Sequence, residues 1–418
     1  MLKKLIWAGT TSSSFAGASE ALRVLADLDV SVKQVERRVR EIGEERCEER
    51  DAVSQAYQEL PLTERKSVPA GVAVTGVAVV EMDGGRLQIR DEAEPAAEAT
   101  EAREKKRRGR FWREDKVGLL ASMASVTSAD DPCPSIPATF VDAERIPRLA
   151  QEFQAKSKSA LQGPVADTGL SPGESPASEA ESTPVPNPAS PPKYEPPELV
   201  TRSVVATKEK VEVFGELLAS AAWERGFFGA KRRAFLGDGS NANWGVWERH
   251  FSSFTPIVDF IHVLTYVYGA AMAGGSFAEG WLRYRDWIGR VWSGRVSEVI
   301  GLLETRQREL GLSEKSDGES HPRRVVAESL VYLRNQSGRM KYAEYRQAGL
   351  PITTAHVEST IKRMNYRVKG SEKFWSECGA ESILQLRADV LSETEPLEGF
   401  WQRRAARMTG ERRQNPDR

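Results

Sequence analysis

Between Gly163 and Pro197 the chain stops offering anything that could be buried, and this interruption dictates how the rest of it can fold. Ten of the 22 prolines fall in these 35 residues, among serine, alanine and glutamate, with almost no large apolar side chain. Such a segment cannot recover by burial the entropy lost on ordering, so a flexible, dispensable linker is expected over 163–198. Any core must be built from the stretches on either side of it. With 418 residues, 40% of them hydrophobic, there is enough material for two or three domains.

Ahead of the linker the patterning changes twice. Ala21, Leu22, Leu25, Ala26 and Leu28 share one face of a helix over Ser19–Leu28. Ser31 with Gln34 has the capping-box spacing and opens a second helix, with Val32, Val35, Val39 and Ile42 as its apolar stripe. Lys33, Arg37, Arg38 and Arg40 line its other faces. Two short helices, the second basic, are compatible with a helix-turn-helix over 1–60 that binds DNA through Arg37 and Arg38, and equally with a helical hairpin that has a solvated basic face. The first helix starts so near Met1 that upstream helices of such a domain would be missing. From Val72 the period shortens. Val77–Val80 is a buried-strand run, Asp83-Gly84-Gly85 breaks it, and Leu87 and Ile89 resume the alternation. Val117–Val126 is a second strand pattern, and Asp142–Phe153 reads as a helix, so that 70–162 forms the first part of a sheet domain.

Beyond the linker, 199–263 supplies its second part: a strand at Thr201–Ala206, a helix at Val211–Arg225, a strand at Arg233–Gly237 and an apolar strand candidate at Ile257–Val263. A helical block follows over 264–348. A last helix starts near Thr353 or Thr354 and runs past Glu358 to Arg367 within 349–400, and 401–418 is a basic tail. Strands, helices and strands in this order predict an α/β fold with a mixed sheet and an all-helical insertion.

Charge and cysteine usage exclude some classes. The formal net charge of −1 gives no overall pull towards nucleic acid, but Arg103–Lys116 and Arg403–Arg418 concentrate basic residues. Cys47, Cys133 and Cys378 make no CxxC pair, so neither a disulfide framework nor a zinc knuckle is expected, and a reducing cytoplasm fits. Leu5–Ala8 is too short for a signal peptide or a membrane span, and no membrane partner is expected.

Three carboxylates stand where chemistry could use them. Asp83 sits in the first strand, Asp238 follows a later strand with Gly239 to turn the chain, and Glu358 lies early in the last helix. Two-metal phosphoryl transfer needs carboxylates from separate elements converging on one point. Taken singly, an Asp-Gly pair is also an ordinary turn, and a Glu in a first helical turn also complements the helix dipole.

The flanking residues make the set specific. The blocks VAVVEMDGGRLQIR (77–90), WREDKV (112–117), FLGDGSNANWGVW (235–247), IVDFIHVLTYVY (257–268) and GLPITTAHVESTIKRMNYRVKGSEKFW (349–375) resemble those of bacterial insertion-sequence transposases of the ISKra type, distant relatives of Mutator-like transposases. The resemblance implies a ribonuclease H-like domain with Asp83, Asp238 and Glu358 as catalytic acids holding Mg²⁺, for which Mn²⁺ can substitute. It implies cleavage at transposon ends, then attack of the freed 3′-OH on target DNA. Asp259-Phe260-Ile261-His262 resembles the Cys/Asp-x-x-His motif of Mutator-like enzymes, which makes His262 an active-site neighbour and Asp259 a rival to Asp238. Lys362, Arg363, Arg367 and Lys369, along and just after the last helix, are expected on the DNA backbone. Trp112, Trp244 and Trp247 have two readings, stacking on an unpaired base or packing in a core. The implied partners are double-stranded DNA at transposon ends and target, a second copy of the chain on paired ends, and the nucleoid as location. The alternatives are a decayed or domesticated DNA-binding protein and a ribonuclease H-like nuclease without strand transfer.

Overall fold

The computed structural model describes residues 1–89, 112–161, 194–370 and 373–413. Its centre is β1 (Val77–Ile89), whose opening run Val77–Val80 is wholly buried because the strand lies inside a sheet covered on both faces. β2 (Trp112–Ala124) pairs antiparallel with β1 and β3 (Glu198–Thr207) antiparallel with β2, as a meander, while β4 (Arg232–Gly237) runs parallel to β1 and β5 (Thr255–Val258) parallel to β4. The sheet order is β3-β2-β1-β4-β5, and the two-residue β6 (Phe374–Trp375) pairs with the far end of β1. The protein is thus an α/β fold with a mixed sheet, as the patterning predicts.

Two local expectations are corrected by this sheet. Asp83-Gly84-Gly85 does not interrupt the first strand: the ladder runs straight through, with Asp83 opposite Val117 and Gly85 opposite Asp115. The apolar run Ile257–Val263 is not one strand either. β5 ends at Val258, and the Asp259 carboxylate accepts the His262 N–H at 2.9 Å, which caps a helix.

The helices arrange themselves around this sheet. α1 (Leu2–Thr11), α2 (Phe15–Ala26) and α3 (Val32–Glu59) open the chain, with the short α4 (Leu62–Arg65) after them. α5 (Arg145–Leu161), α6 (Val211–Glu224) and α7 (Asn241–His250) connect strands. The helical block comprises α8 (Phe260–Met272), α9 (Phe277–Trp292), α10 (Val296–Leu310), α11 (Pro322–Gln336) and α12 (Tyr342–Gln347). α13 (Ala355–Val368), α14 (Glu377–Leu391) and α15 (Pro396–Arg413) close the chain. α6 covers one face of the sheet so closely that any side chain at Gly118 would meet Leu218 and Phe214. α13 covers the other face.

The N-terminal helices are built into this body. Of the predicted stripe, Val35, Val39 and Ile42 are buried on α3 while Val32 is exposed, and the second helix is not short: it has 28 residues and packs on α14 and α6. Arg46 on α3 makes a bidentate pair with Asp389 on α14, at 2.9 and 3.1 Å, and reaches Glu49 at 2.6 Å. Arg50 pairs with Glu381 at 2.8 Å. Burial works against the Arg46 guanidinium, but Asp389 and Glu49 outweigh it and hold it above its ordinary value.

The same packing removes one residue from the expected DNA contacts. Arg367 is 2% exposed, because α13 turns it inward against α1 and α2. Its Nε donates to the Gly9 carbonyl at 2.9 Å, and its guanidinium lies 4.3 Å from the Phe15 ring and 5.0 Å from Trp375. The basic tail begins as helix, since α15 continues to Arg413. The linker from 163 to 193 and most of the Arg103–Lys116 run lie outside the described residues. Among the described residues, no helix is long and apolar enough to cross a membrane.

Candidate active site

β4 and β5 end alongside the middle of β1, and the shared register places the acids. Glu81 lies opposite Leu236, so continuing the register by two residues brings Asp83 beside Asp238. Gly237 lies opposite Val258, and one step further brings Asp238 beside Asp259. Neighbouring strands are roughly 4.8 Å apart, so three carboxylates line one edge of the sheet. The turn after β4 needs Gly239, with φ of +101° and the Tyr332 ring against it. Asp238 Oδ1 accepts from the Ser240 amide at 2.8 Å and from Asn243 Nδ2 at 2.9 Å, which orients the carboxylate. Asp83 Oδ1 accepts from the Gly84 amide at 2.7 Å.

Glu358 arrives from the helix laid across this edge. Asp259 Oδ1 accepts from the Thr354 amide and Glu81 Oε2 from the Val357 amide, both at 2.8 Å. Both carboxylates are fully buried. Asp259 Oδ2 also takes His262 Nδ1 at 2.7 Å, and the imidazole meets the Phe153 ring edge-on at 4.8 Å. Asp259, His262 and Glu358 each offer a ligand atom, all within 4.8 Å of one another.

The electrostatics register an excess of negative charge. Burial, opposed by the Gly84 N–H and reinforced by Asp238 and Glu358, pushes Asp83 up to about 6 from 3.8. Burial also pushes Glu81 up to about 8 from 4.5, against the Val357 N–H and with help from Asp259 and Glu358. Burial disfavours the His262 imidazolium, but the hydrogen bond and charge of Asp259, with Asp238 and Asp83 behind it, raise it to about 9.

Beside Asp238 opens a cleft of about 710 Å³ between α7, α8 and α11. Tyr266 and Tyr332 stack in it at 3.8 Å, and the Arg339 guanidinium lies 4.3 Å from the Trp244 ring. Tyr332 donates to the Asp238 carbonyl at 2.7 Å and Gln336 to the Gly239 carbonyl at 2.9 Å, so α11 forms both the cleft and the support of the second acid.

The sequence-predicted residues thus separate. Asp83, Asp238, His262 and Glu358 come together, with Asp259 among them. Lys362, Arg363 and Lys369 are exposed on or just beyond α13, while Arg367 is buried. Arg37 and Arg38 are exposed on α3, which carries no member of the acid cluster, and Arg38 pairs with Glu41 at 2.7 Å. Trp244 borders the cleft, Trp247 donates to the Phe254 carbonyl at 2.9 Å as a packing residue, and Trp112 begins β2 away from the cleft. Glu81 escapes the sequence reading. Its only signal is a carboxylate inside an apolar strand, two residues before the first acid and therefore on the same face. No protein-family model matches the chain, and no curated protein matches it.

Proposed function

We propose that the protein is a DNA transposase of a bacterial insertion sequence, cutting and joining phosphodiesters at the Asp83–Asp238–Glu358 edge of a ribonuclease H-like domain. The observation that carries this reading is the meeting of carboxylates from β1, β4 and α13 at one sheet edge, 155 and 120 positions apart in sequence. The strand order supports it: three antiparallel strands followed by two parallel ones, then a helical block before the last acidic helix. That arrangement agrees with the resemblance of the sequence blocks.

The donor set fits Mg²⁺ or Mn²⁺. Hard divalent cations take oxygen ligands, and Asp83 is a carboxylate raised by burial, with a smaller contribution from the neighbouring Asp238 and Glu358. Bound there, the cations would polarise the scissile phosphate and lower the pKa of the attacking water or 3′-OH. Asp83, Asp238 and Glu358 would hold them, and Ser240 and Asn243 keep Asp238 turned to the edge. His262, kept protonated by Asp259, would place a positive charge next to a phosphate. Lys362, Arg363 and Lys369 would carry the duplex backbone. The aromatic cleft would take an unpaired base next to Asp238.

The test is divalent-dependent nicking of duplex DNA carrying the element's termini. Asp238→Asn should lower the rate on the order of a thousandfold, the loss of several kcal/mol of transition-state stabilisation, while duplex binding persists. A twofold loss would sink the assignment. Wild-type protein that binds the termini but never cuts them would leave a DNA-binding protein.

A further inference from the structure

We propose that Glu81 and Asp259 are positioning residues for Glu358, two buried carboxylates that grip the first turn of α13 from within β1 and from just past the end of β5. The proposal rests on the active-site reading above and adds that these two carboxylates hold backbone rather than cation.

The first turn of a helix presents amides with no partner inside the helix, and each needs an acceptor if buried. α13 starts at Thr354 with no side-chain cap of its own. Its acceptors come from the sheet instead, Asp259 Oδ1 for Thr354 and Glu81 Oε2 for Val357, each at 2.8 Å. A carboxylate at this end also meets the positive pole of the helix. Glu358 is the residue after Val357, and its own amide is tied to the Thr354 carbonyl at 3.1 Å. Two anchors on the same turn therefore fix where its carboxylate points. Both oxygens of Asp259 are engaged, one by the Thr354 amide and the other by both His262 donors. Glu81 is on the strand of Asp83 and Asp259 beside Asp238, so the grip refers Glu358 to the other two acids directly. Oε1 of Glu81 meets no donor among the described residues, which leaves the Val357 amide as the bond that explains a fully buried carboxyl here.

The experiment compares Glu81→Gln, Glu81→Leu and Asp259→Asn in the full chain. It reads amide exchange of the 354–358 turn, Mn²⁺ affinity by electron paramagnetic resonance, and kcat and KM for nicking. Glu81→Leu removes the acceptor, so exchange in that turn should accelerate at least about tenfold and Mn²⁺ should bind roughly tenfold more weakly, with kcat falling and KM for DNA unchanged. Glu81→Gln keeps an acceptor oxygen and should stay within about threefold of wild type in all readouts. Asp259→Asn gives up one of its three bonds and should show the same pattern more weakly, which keeps the test alive if Glu81→Leu does not fold. Unchanged exchange in both Glu81→Leu and Asp259→Asn would overturn the grip. Glu81→Gln as damaging to Mn²⁺ affinity as Glu81→Leu would overturn it too, making Glu81 a ligand. If wild type neither binds Mn²⁺ nor nicks DNA while exchange responds as expected, the catalytic reading falls and the grip stands.

Discussion

Two of the places where charge is buried are built in opposite ways. Between α3 and α14 each buried acid has its base: Asp389 faces Arg46 through two bonds and accepts Gln385 Nε2 at 2.9 Å, and Glu381 faces Arg50. Where β4 and β5 end beside the middle of β1, Glu81, Asp83, Asp238, Asp259 and Glu358 crowd together with His262 as the counter-charge that acts on Asp83. The first region ties acids to bases across two helices, although burial still raises Asp389 against the pull of Arg46. The second remains in deficit after folding, which costs stability that packing elsewhere must offset. A deficit kept at one edge is what a cation site requires.

The sharpest way to break this contrast is to make the same substitution in both regions. Asp83→Asn should cut nicking on the order of a thousandfold, yet leave the thermal midpoint in metal-free buffer at pH 8 unchanged or higher, because it relieves crowding among acids. Asp389→Asn should do the reverse. It leaves Arg46 buried without its bidentate partner, so unfolding in denaturant should show a loss of about 3–5 kcal/mol, with the metal affinity of surviving folded protein intact. Equal stability losses at the two positions would erase the distinction.

pH separates the regions more gently. Asp83 and Glu81 hold their protons more tightly folded than unfolded, so their contribution is complete below the ordinary carboxylate range and is lost as pH rises through about 6 and about 8. His262, raised to about 9, works in the same direction: its contribution is full below 6.5 and fades as pH climbs through 9. The metal-free midpoint should therefore fall between pH 5 and pH 9, and Mn²⁺ should restore it at the alkaline end. A midpoint that rises with pH would show that the cluster is not in deficit.

The smallest effect concerns the exposed bases. Lys362→Ala and Arg363→Ala should each weaken duplex binding across sequences and reduce the salt slope by about 1. Arg367→Ala should behave as a folding mutant instead, leaving the slope unchanged in the folded fraction.

The acids were legible because Asp-Gly steps beside apolar strand runs and a carboxylate early in a helix are local signals, and the flanking blocks gave them an order; that Asp83-Gly84 lies within a continuous strand was not. Their mutual support was not. The bonds from Glu81 to Val357 and from Asp259 to Thr354 join residues 276 and 95 positions apart, and no local pattern announces them. Arg367 was misplaced for the same reason: helical spacing from Lys362 and Arg363 said nothing of Phe15 and Gly9 waiting opposite it. Ile257–Val263 was ambiguous because a short apolar run serves a strand or a buried helix equally, and the break falls at the Asp259 cap.

Asp259 has one more consequence. Its carboxylate receives the amide of His262, where the helical block leaves the sheet, and the amide of Thr354, where the chain returns. The Phe260 amide is bonded to the Ile352 carbonyl at 2.9 Å, across the same gap. Departure and return are thus knotted at a single side chain, like a purse closed by its drawstring. A change of length inside the purse, away from α11 and from the tyrosines of α12 that bond to β5, should leave the acids at its mouth in place.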